Sequence, residues 1–241
     1  MSESLLTPQW PAPVSVRACQ TTRLGGLSLP PYESLNLGEH VGDAPEAVAQ
    51  NRARLRQLAG LPSEPLWLQQ VHGCEVVDGA SAQRCADASF ATRPGQVCAV
   101  LTADCLPLLL CRVDGTAVAA VHAGWRGLLA GVIEQAVKRA GGGEWMAWLG
   151  PAIGPQAFEV GREVYDAFVA EDSRSASAFV AARPGHFMAD LYALARQRLA
   201  RCGVGQVYGG EQCTYNEPDR FFSYRRDGVT GRMASLIWLV R

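Results

Sequence analysis

The sequence lacks a CxxC pair among its eight cysteines, and its first sixteen residues lack the basic n-region and apolar core of a signal peptide. Without a secretory signal, an even number of cysteines does not indicate disulfides. We therefore expect the cysteines to be reduced, and most of them to be small buried apolar residues. The protein is expected in the cytoplasm.

Basic residues are not in excess, since 22 Lys and Arg face 23 Asp and Glu. This balance argues against electrostatic binding of nucleic acid. No apolar run reaches 18 residues, so a membrane helix is not expected either. Nothing in the sequence indicates an oligomeric state.

Apolar residues make up 48% of the 241 residues and charged residues 19%, which is typical of a globular chain. Glycine and proline are spread along the sequence without a linker or a repeat. We therefore predict one catalytic domain spanning residues 1–241. A domain of this length can bury a large core.

Strand and helix patterns are interleaved, which predicts the α/β class with a mixed sheet. Pro107 is expected to prevent a simple central strand through its position. Asp43 is expected to cap the first helix. The predicted strands cover residues 66–71, 97–103, 116–122, 146–149 and 233–240, and the predicted helices cover residues 43–59, 127–140, 160–170 and 188–202.

Two histidines and one cysteine lie at the ends of three predicted strands. They are His72 in QVHG, Cys105 in ADCLP and His122 in VHAGWRG. Strand ends at one edge of a sheet are where α/β proteins usually place their chemistry. Two imidazoles and a thiolate suit a tetrahedral zinc with one open position. The alternative for each histidine is a hydrogen-bonded structural residue.

Glycine-rich turns and arginines suggest a ligand pocket around these residues. The turn HAGWRG joins a strand to a helix, where backbone N–H groups favour an anion, and Arg126 could add a phosphate or carboxylate contact. Arg23 and Asn36 lie in a glycine-rich N-terminal loop. Ser223 and Arg225 precede the last strand and could also reach a ligand. The alternative for this segment is a solvated hairpin with its turn at Asp227-Gly228.

Several motifs occur in order between about residue 15 and the end. They are TTRLGG, SLNLGEHVGD, QVHG, TADCLPLLL, VHAGWRGL, LGPAIGP with FEVG, and FFSYRRDGVTGRMASLIWL. Together they resemble the family known as polyphenol oxidase (laccase domain), peptidoglycan editing factor and purine nucleoside phosphorylase. No departure occurs at the key positions.

The resemblance implies a single-domain layered α/β sandwich, with mixed β-sheets flanked by helices. It implies a metal, usually zinc, held by His72, Cys105 and His122, which are then also the catalytic residues. It also implies phosphorolysis of adenosine, inosine and methylthioadenosine, together with adenosine deamination. The partner that this implies is a small-molecule substrate, a purine nucleoside with phosphate. The candidate substrate-binding residues are Arg23, Asn36, Gln70, Asp104, Arg126, Ser223 and Arg225.

The chemistry of the three residues leaves alternatives open. A zinc enzyme would need a proton shuttle, for which Asp104 and Glu75 are the nearest acids in sequence. Copper also binds such a set, but a four-copper oxidase needs many more imidazoles than the four histidines present. Cys105 could instead be the nucleophile of a metal-free amidase that edits a peptidoglycan precursor. A closed structural zinc would need a fourth ligand such as Cys74.

Overall fold

Continuous apolar runs such as LPLLLC and VAAVHA form strands that are buried on both faces. In the computed structural model, which describes residues 4–241, thirteen strands and six α-helices are formed. The strands are β1 (Leu5–Leu6), β2 (Val16–Thr21), β3 (Val76–Asp78), β4 (Ala88–Ala91), β5 (Val97–Thr102), β6 (Leu106–Arg112), β7 (Val118–Ala123), β8 (Trp145–Leu149), β9 (Glu159–Gly161), β10 (Phe179–Ala181), β11 (His186–Ala189), β12 (Gln206–Gly209) and β13 (Met233–Leu239). The α-helices are α1 (Pro45–Ala59), α2 (Trp125–Ala130), α3 (Val132–Arg139), α4 (Arg162–Glu171), α5 (Leu191–Arg201) and α6 (Tyr224–Asp227).

The strands form three sheets. One has six strands in the order β12-β8-β6-β7-β4-β3, with parallel pairs at both edges and antiparallel pairs between them. A second, antiparallel sheet has the order β1-β2-β13-β5, and a third has the order β10-β11-β9. The predicted α/β class with mixed sheets is confirmed. Among residues 4–241, no helix has the length and apolar character needed to cross a bilayer.

The two larger sheets pack face to face, and helices cover their outer faces. Leu109 of β6 packs towards Ile237 of β13, in the core between the sheets. Its neighbours Leu108 and Leu110 face the opposite side, where α2 to α5 pack on the six-stranded sheet. Helix α1 covers the four-stranded sheet through Leu55. This alternation of side chains explains the layered sandwich.

The first predicted helix is present, but its predicted cap is wrong. Helix α1 begins after Ala44, whose backbone is extended and which makes no side-chain cap. The Asp43 carboxylate instead accepts hydrogen bonds from Ser28 Oγ (2.6 Å) and Asn36 Nδ2 (2.9 Å), so it joins the N-terminal loop to the start of the helix.

The predicted strand at residues 66–71 is replaced by an irregular extended segment with two isolated bridges. The Gln70 side chain explains this difference. Its amide donates to the Leu101 carbonyl (2.8 Å) and accepts from the Leu101 N–H (2.7 Å). The Gln70 side chain therefore makes the hydrogen bonds to Leu101 of β5 that the backbone of a neighbouring strand would otherwise make.

Pro107 does not interrupt β6, contrary to the expectation. It is the second residue of the strand and lies opposite His122 of β7, whereas pairing with β8 begins only at Leu108. The missing N–H therefore leaves no gap in the ladder with β8, and the Pro107 carbonyl accepts from the Gly150 N–H (2.9 Å).

The single helix predicted for residues 127–140 is two helices, α2 and α3. Gly131 separates them with a left-handed backbone at φ 84° and bonds back to the carbonyls of Gly127 and Leu128. The short helix α6 also replaces the hairpin that was the alternative for residues 221–232. Ser223 Oγ caps α6 by accepting from the Arg226 N–H (3.2 Å).

Candidate metal centre

His72, Cys105 and His122 converge at one end of the gap between the two larger sheets. Their ligand atoms all lie within 4.8 Å of one another. The Cys105 Sγ lies 3.8 Å from His72 Nε2, and the two imidazole rings meet edge to face with centroids 4.8 Å apart. His122 is buried, Cys105 is half-buried and His72 is exposed, so the cluster is open on the side of His72.

Cys105 lies where the chain crosses from β5 in one sheet to β6 in the other. The crossing turns at Asp104, which has a φ of 94°, a value that is uncommon outside glycine. Asp104 is buried, and its carboxylate accepts hydrogen bonds from the Thr214 hydroxyl (2.6 Å) and the Arg225 N–H (2.7 Å). These bonds hold the turn, and with it the Cys105 thiol.

His122 comes from β7, and its partner is Asp87, immediately before β4. Alternation along β7 points His122 to the same side as Ala120, towards the four-stranded sheet. The His122 Nδ1–H donates to Asp87 Oδ1 (2.8 Å), and the His122 N–H donates to the Asp87 carbonyl (2.7 Å). Asp87 thereby fixes the ring and leaves Nε2 as the ligand atom.

The same carboxylate also holds His72. Asp87 accepts hydrogen bonds from the N–H groups of Val71 (3.2 Å), His72 (2.9 Å) and Gly73 (2.7 Å). His72 has a left-handed backbone, with φ 61°, which lets three successive N–H groups surround one acceptor. A single buried carboxylate therefore positions both imidazoles.

Charges in the cluster favour a thiolate beside a carboxylate-supported imidazole. Burial acts to raise the pKa of Asp87, but hydrogen bonds from His122 and the Gly73 N–H outweigh it and lower that pKa. Burial also opposes ionisation of Cys105, yet the charge and hydrogen bond of His122 lower the Cys105 pKa. Burial acts to lower the pKa of His122, but Cys105 and Asp87 raise it.

Gly124 is required for the close approach of these groups. A Cβ atom at this position would lie 2.9 Å from Cys105 Sγ and 3.3 Å from His72 Cδ2. Its φ of −64° is available to any residue, so the constraint is space and not backbone conformation. The glycine of the HAGWRG turn therefore makes room for the thiol.

The three donors suit a catalytic metal better than a structural one. A borderline-soft ion such as zinc is bound by imidazole and thiolate at about 2.0–2.3 Å. Within residues 4–241, no fourth His, Cys, Asp or Glu ligand atom joins the cluster. Cys74, the candidate fourth ligand, packs against the core on the helix side of the six-stranded sheet. The set fits a metal with an open coordination position.

Two of the candidate substrate-binding residues are fully buried and make hydrogen bonds within the fold. Asn36 bonds to Asp43, to Gly38 and to the Arg232 N–H. Ser223 is the cap of α6. These contacts hold both side chains within the fold.

The other candidates outside the cluster also have partners within the protein. Arg23 donates to the carbonyls of Glu33 and Pro218 (both 2.9 Å), and its guanidinium lies over the Phe222 ring. Arg225 Nη1 donates to the Glu159 carbonyl (2.9 Å). Gln70 is bonded to Leu101, and Asp104 to Thr214 and the Arg225 N–H, as described above. These contacts of Asp104 hold the turn that carries Cys105.

Arg126, which is predicted to contact an anion at the HAGWRG turn, packs against its neighbour in the chain. This residue is exposed, and its guanidinium stacks on the neighbouring Trp125 ring, 4.4 Å from the centroid. The following helix α2 has only six residues, so its dipole is small.

Sequence reasoning missed Asp87. It lies among residues 79–95, where no motif indicated function, and 35 positions before its partner His122. The available signal was an acidic residue directly before the short apolar strand β4. A carboxylate that is fully buried requires hydrogen-bond donors or an ion to offset its desolvation.

A cavity of about 500 Å³ lies beside the segment that leads to His72. Its volume falls in the range of ligand pockets, roughly 300–1,000 Å³. The lining residues are Glu39, His40, Arg52, Trp67, Leu68, Gln69, Gln70, Arg84 and Leu101.

Comparison with known proteins gives consistent matches over the whole chain. The family model described as multi-copper polyphenol oxidoreductase laccase matches residues 17–240. The protein named purine nucleoside phosphorylase YfiH from Escherichia coli (strain K12) is 56% identical, covering 98% of this chain and 99% of its own. A purine nucleoside phosphorylase from Pseudomonas aeruginosa is 57% identical, covering 97% of this chain and 98% of its own.

The solved structure of a Neisseria meningitidis protein of the DUF152 family superposes with a TM-score of 0.95 at 53% identity, covering 99% of this chain and 100% of that chain. The sequence and the fold thus lead to the same group of proteins. The chain therefore belongs to the laccase-like YfiH family.

Proposed function

We propose that this protein is a metal-dependent purine nucleoside phosphorylase, with His72, Cys105 and His122 as the ligands of a catalytic zinc. The observation that carries the proposal is the convergence of these three donors without a fourth protein ligand among the described residues. The names of relatives more than 50% identical over nearly the whole chain support the activity.

The chain's own residues prepare the site for a metal. When bound, zinc acts as a Lewis acid and lowers the pKa of a water molecule. Asp87 accepts a hydrogen bond from His122 Nδ1–H, so Nε2 is the nitrogen that would bind the metal, in exchange for the proton that the raised His122 pKa favours there. The low Cys105 pKa keeps the sulfur in the thiolate form that binds metals. The exposed His72 side of the cluster gives access to substrate.

The proposed reaction forms a bond between a phosphate oxygen and C1′ of the ribose as the bond from C1′ to the purine breaks. The bonding electron pair leaves with the purine, which then takes up a proton, and the sugar product is ribose 1-phosphate. We propose adenosine, inosine and methylthioadenosine as substrates, with hydrolytic deamination of adenosine as a second reaction at the same site.

We propose a single zinc instead of a multicopper centre, because the described residues offer too few imidazoles for a copper cluster. Of the four histidines, two are in the cluster, while His186 lies in the separate three-stranded sheet and His40 in a short 3-10 helix. A multicopper oxidase requires several further imidazoles for its copper cluster. Copper can still bind a His-Cys-His set, since it outcompetes zinc at most nitrogen and sulfur sites.

The direct test combines metal analysis with a phosphorolysis assay. Protein produced without added copper is expected to contain zinc, and with inosine and phosphate it is expected to give hypoxanthine and ribose 1-phosphate. Cys105→Ala should lose this activity and the metal. Cys85→Ala, which removes an exposed cysteine, is the matched control and should retain both. Undiminished turnover by Cys105→Ala would refute the proposed centre.

A second candidate is a cysteine-dependent amidase acting on a peptidoglycan precursor. One observation favours it: His122 lies in one cluster with Cys105 and donates to Asp87, and thiol, imidazole and carboxylate are the groups that activate a cysteine nucleophile. In this reaction, the thiolate would attack an amide carbonyl and protonated His122 would supply the proton of the leaving amine.

Metal removal distinguishes the two candidates. If a chelator abolishes turnover and added zinc restores it, the phosphorylase proposal is supported. If amide hydrolysis of a cell-wall precursor survives the chelator but is lost on thiol alkylation, the amidase is the correct assignment.

A further inference from the structure

Arg232 lies beside the metal centre, although it is distant from all three ligands in sequence. It directly precedes β13, where Met233 pairs with Thr102 of β5. Continuing this antiparallel register places Arg232 opposite Ala103, next to the Asp104–Cys105 turn. The end of β13 therefore brings a cation to the crossing that carries the Cys105 thiol.

The Arg232 backbone is fixed by the N-terminal loop. Its N–H donates to Asn36 Oδ1 (2.9 Å), and its carbonyl accepts from the Leu37 N–H (3.1 Å). A Cβ at Gly38 would lie 2.8 Å from Arg232 Cγ, so the glycine gives space to the arginine side chain. These contacts hold the stem of the side chain in one place.

One part of the guanidinium is bonded and the other is free. Nη1 donates to the carbonyls of Thr230 and Gly231, both at 3.0 Å, while the Arg232 Cζ lies 5.9 Å from the Tyr224 ring centroid. Within residues 4–241, Nε and Nη2 have no hydrogen-bond partner. These two nitrogens form the edge of the guanidinium that binds phosphate or carboxylate in a bidentate manner.

Arg232 also lacks the carboxylate partner that Arg52 and Arg198 possess. Arg52 pairs with Glu39 (2.6 Å) and Arg198 with Glu134 (3.1 Å), whereas no carboxylate of the described chain forms an ion pair with Arg232. Burial lowers the pKa of Arg232, and the negative charges of Cys105 and Asp104 are the main groups that oppose this effect. An unpaired, partly desolvated cation favours a bound anion.

We propose that Arg232 binds the phosphate co-substrate through its free Nε and Nη2 edge, and orients a phosphate oxygen towards C1′ of the nucleoside. The inference rests on the proposed phosphorylase function and assigns its anion site. Arg23 and Arg126, the cations expected from the sequence, are less suited, since Arg23 is bonded to loop carbonyls and Arg126 stacks on Trp125.

The test compares Arg232→Gln with Arg162→Gln in the zinc-loaded protein. Arg162 is an exposed arginine of α4 and serves as the matched control. Replacing a bidentate charged contact should raise the KM for phosphate by about tenfold or more. The KM for inosine should change by less than about twofold, because Arg232 is assigned to the anion alone. An unchanged phosphate KM in Arg232→Gln would overturn the inference.

Calorimetric titration with inorganic phosphate separates this inference from the proposed function. If the wild-type protein binds phosphate but cleaves no nucleoside, the phosphorylase proposal fails. Arg232 is then still tested, since weaker phosphate binding by Arg232→Gln supports its role and equal binding refutes it. No phosphate binding by the wild type would refute both.

A measurement on the unaltered chain covers the case in which Arg232→Gln does not fold. A dicarbonyl reagent that modifies arginines is applied with and without phosphate, and peptides are mapped by mass spectrometry. Phosphate should protect Arg232 and leave the modification of Arg162 unchanged. Equal modification of Arg232 in both samples would contradict the assignment.

Discussion

Asp87→Asn tests the idea that one buried carboxylate positions both imidazoles. The substitution keeps the size of the side chain but replaces one acceptor oxygen with an NH₂ group, which only donates. In the native protein, Oδ1 faces donors on His72 and His122, and Oδ2 faces donors on Val71 and Gly73. Either orientation of the amide therefore places its NH₂ group against two N–H groups.

Both orientations weaken the metal site. If the NH₂ group faces His122, the ring proton moves to Nε2 and the lone pair needed by the metal is lost. If it faces Val71 and Gly73, the left-handed turn at His72 loses its acceptor. Disrupting such a support of a metal ligand typically costs about 10–100-fold in metal affinity. This corresponds to about 1.4–2.8 kcal/mol.

The metal-free protein should also become less stable. Leaving a buried donor unpaired costs about 1–3 kcal/mol. Because Val71 and Gly73 are partly accessible to water, we expect the free energy of unfolding to fall by about 1–3 kcal/mol in total.

Zinc affinity is measured by competition with a chromophoric chelator, and stability by urea unfolding of the metal-free protein. Asp166→Asn is the control, since Asp166 is exposed and pairs only with Arg162 in α4. It should leave zinc affinity unchanged and shift stability by at most about 1 kcal/mol. Wild-type zinc affinity in Asp87→Asn would show that Asp87 does not position the ligands.

Three further predictions address other contacts. Gly124→Ala should weaken zinc binding by about tenfold or more while the fold is retained, because the new Cβ would lie 2.9 Å from Cys105 Sγ. The control is Gly142→Ala, where a Cβ would meet open space, and it should bind zinc as the wild type does in the same competition assay. Thr214→Val should lower the free energy of unfolding in urea by about 2 kcal/mol, since it removes the hydroxyl donated to the Asp104 carboxylate; an unchanged midpoint would contradict this. Arg198→Ala should lower the free energy of unfolding by about 3–5 kcal/mol in the same measurement, because Glu134 and Glu171 lose the buried cation that both contact. A decrease of less than about 1 kcal/mol would disprove that role.

The sequence predicts strands best where both faces are buried. Strands β5, β7 and β13 are nearly continuous in apolar residues, and the structure places each within a residue or two of its expected bounds. The break between α2 and α3 was missed because an amphipathic pattern continues across Gly131, whose positive φ depends on the packing of both helices.

The ligand types could be proposed from the sequence, but the groups that support them could not. Asp87 acts on residues 15 and 35 positions away, and such pairings have no local pattern. Arg232 could not be proposed from the sequence either, because its position near Cys105 depends on the register in which β13 pairs with β5. By contrast, the sequence proposes Arg126 because it lies in the HAGWRG motif, and the structure places its side chain at the exposed surface.

The crossing from β5 to β6 links the geometry of the cluster to the thickness of the sandwich. Cys105 belongs to the crossing itself, whereas His122 is built into one sheet, so the separation of the sheets sets the distance between sulfur and imidazole. Residues such as Leu109 and Ile237, which fill the space between the sheets, thus act as spacers for a centre they do not touch. Changing their volume would therefore alter the spacing of the candidate metal ligands from the interior of the protein.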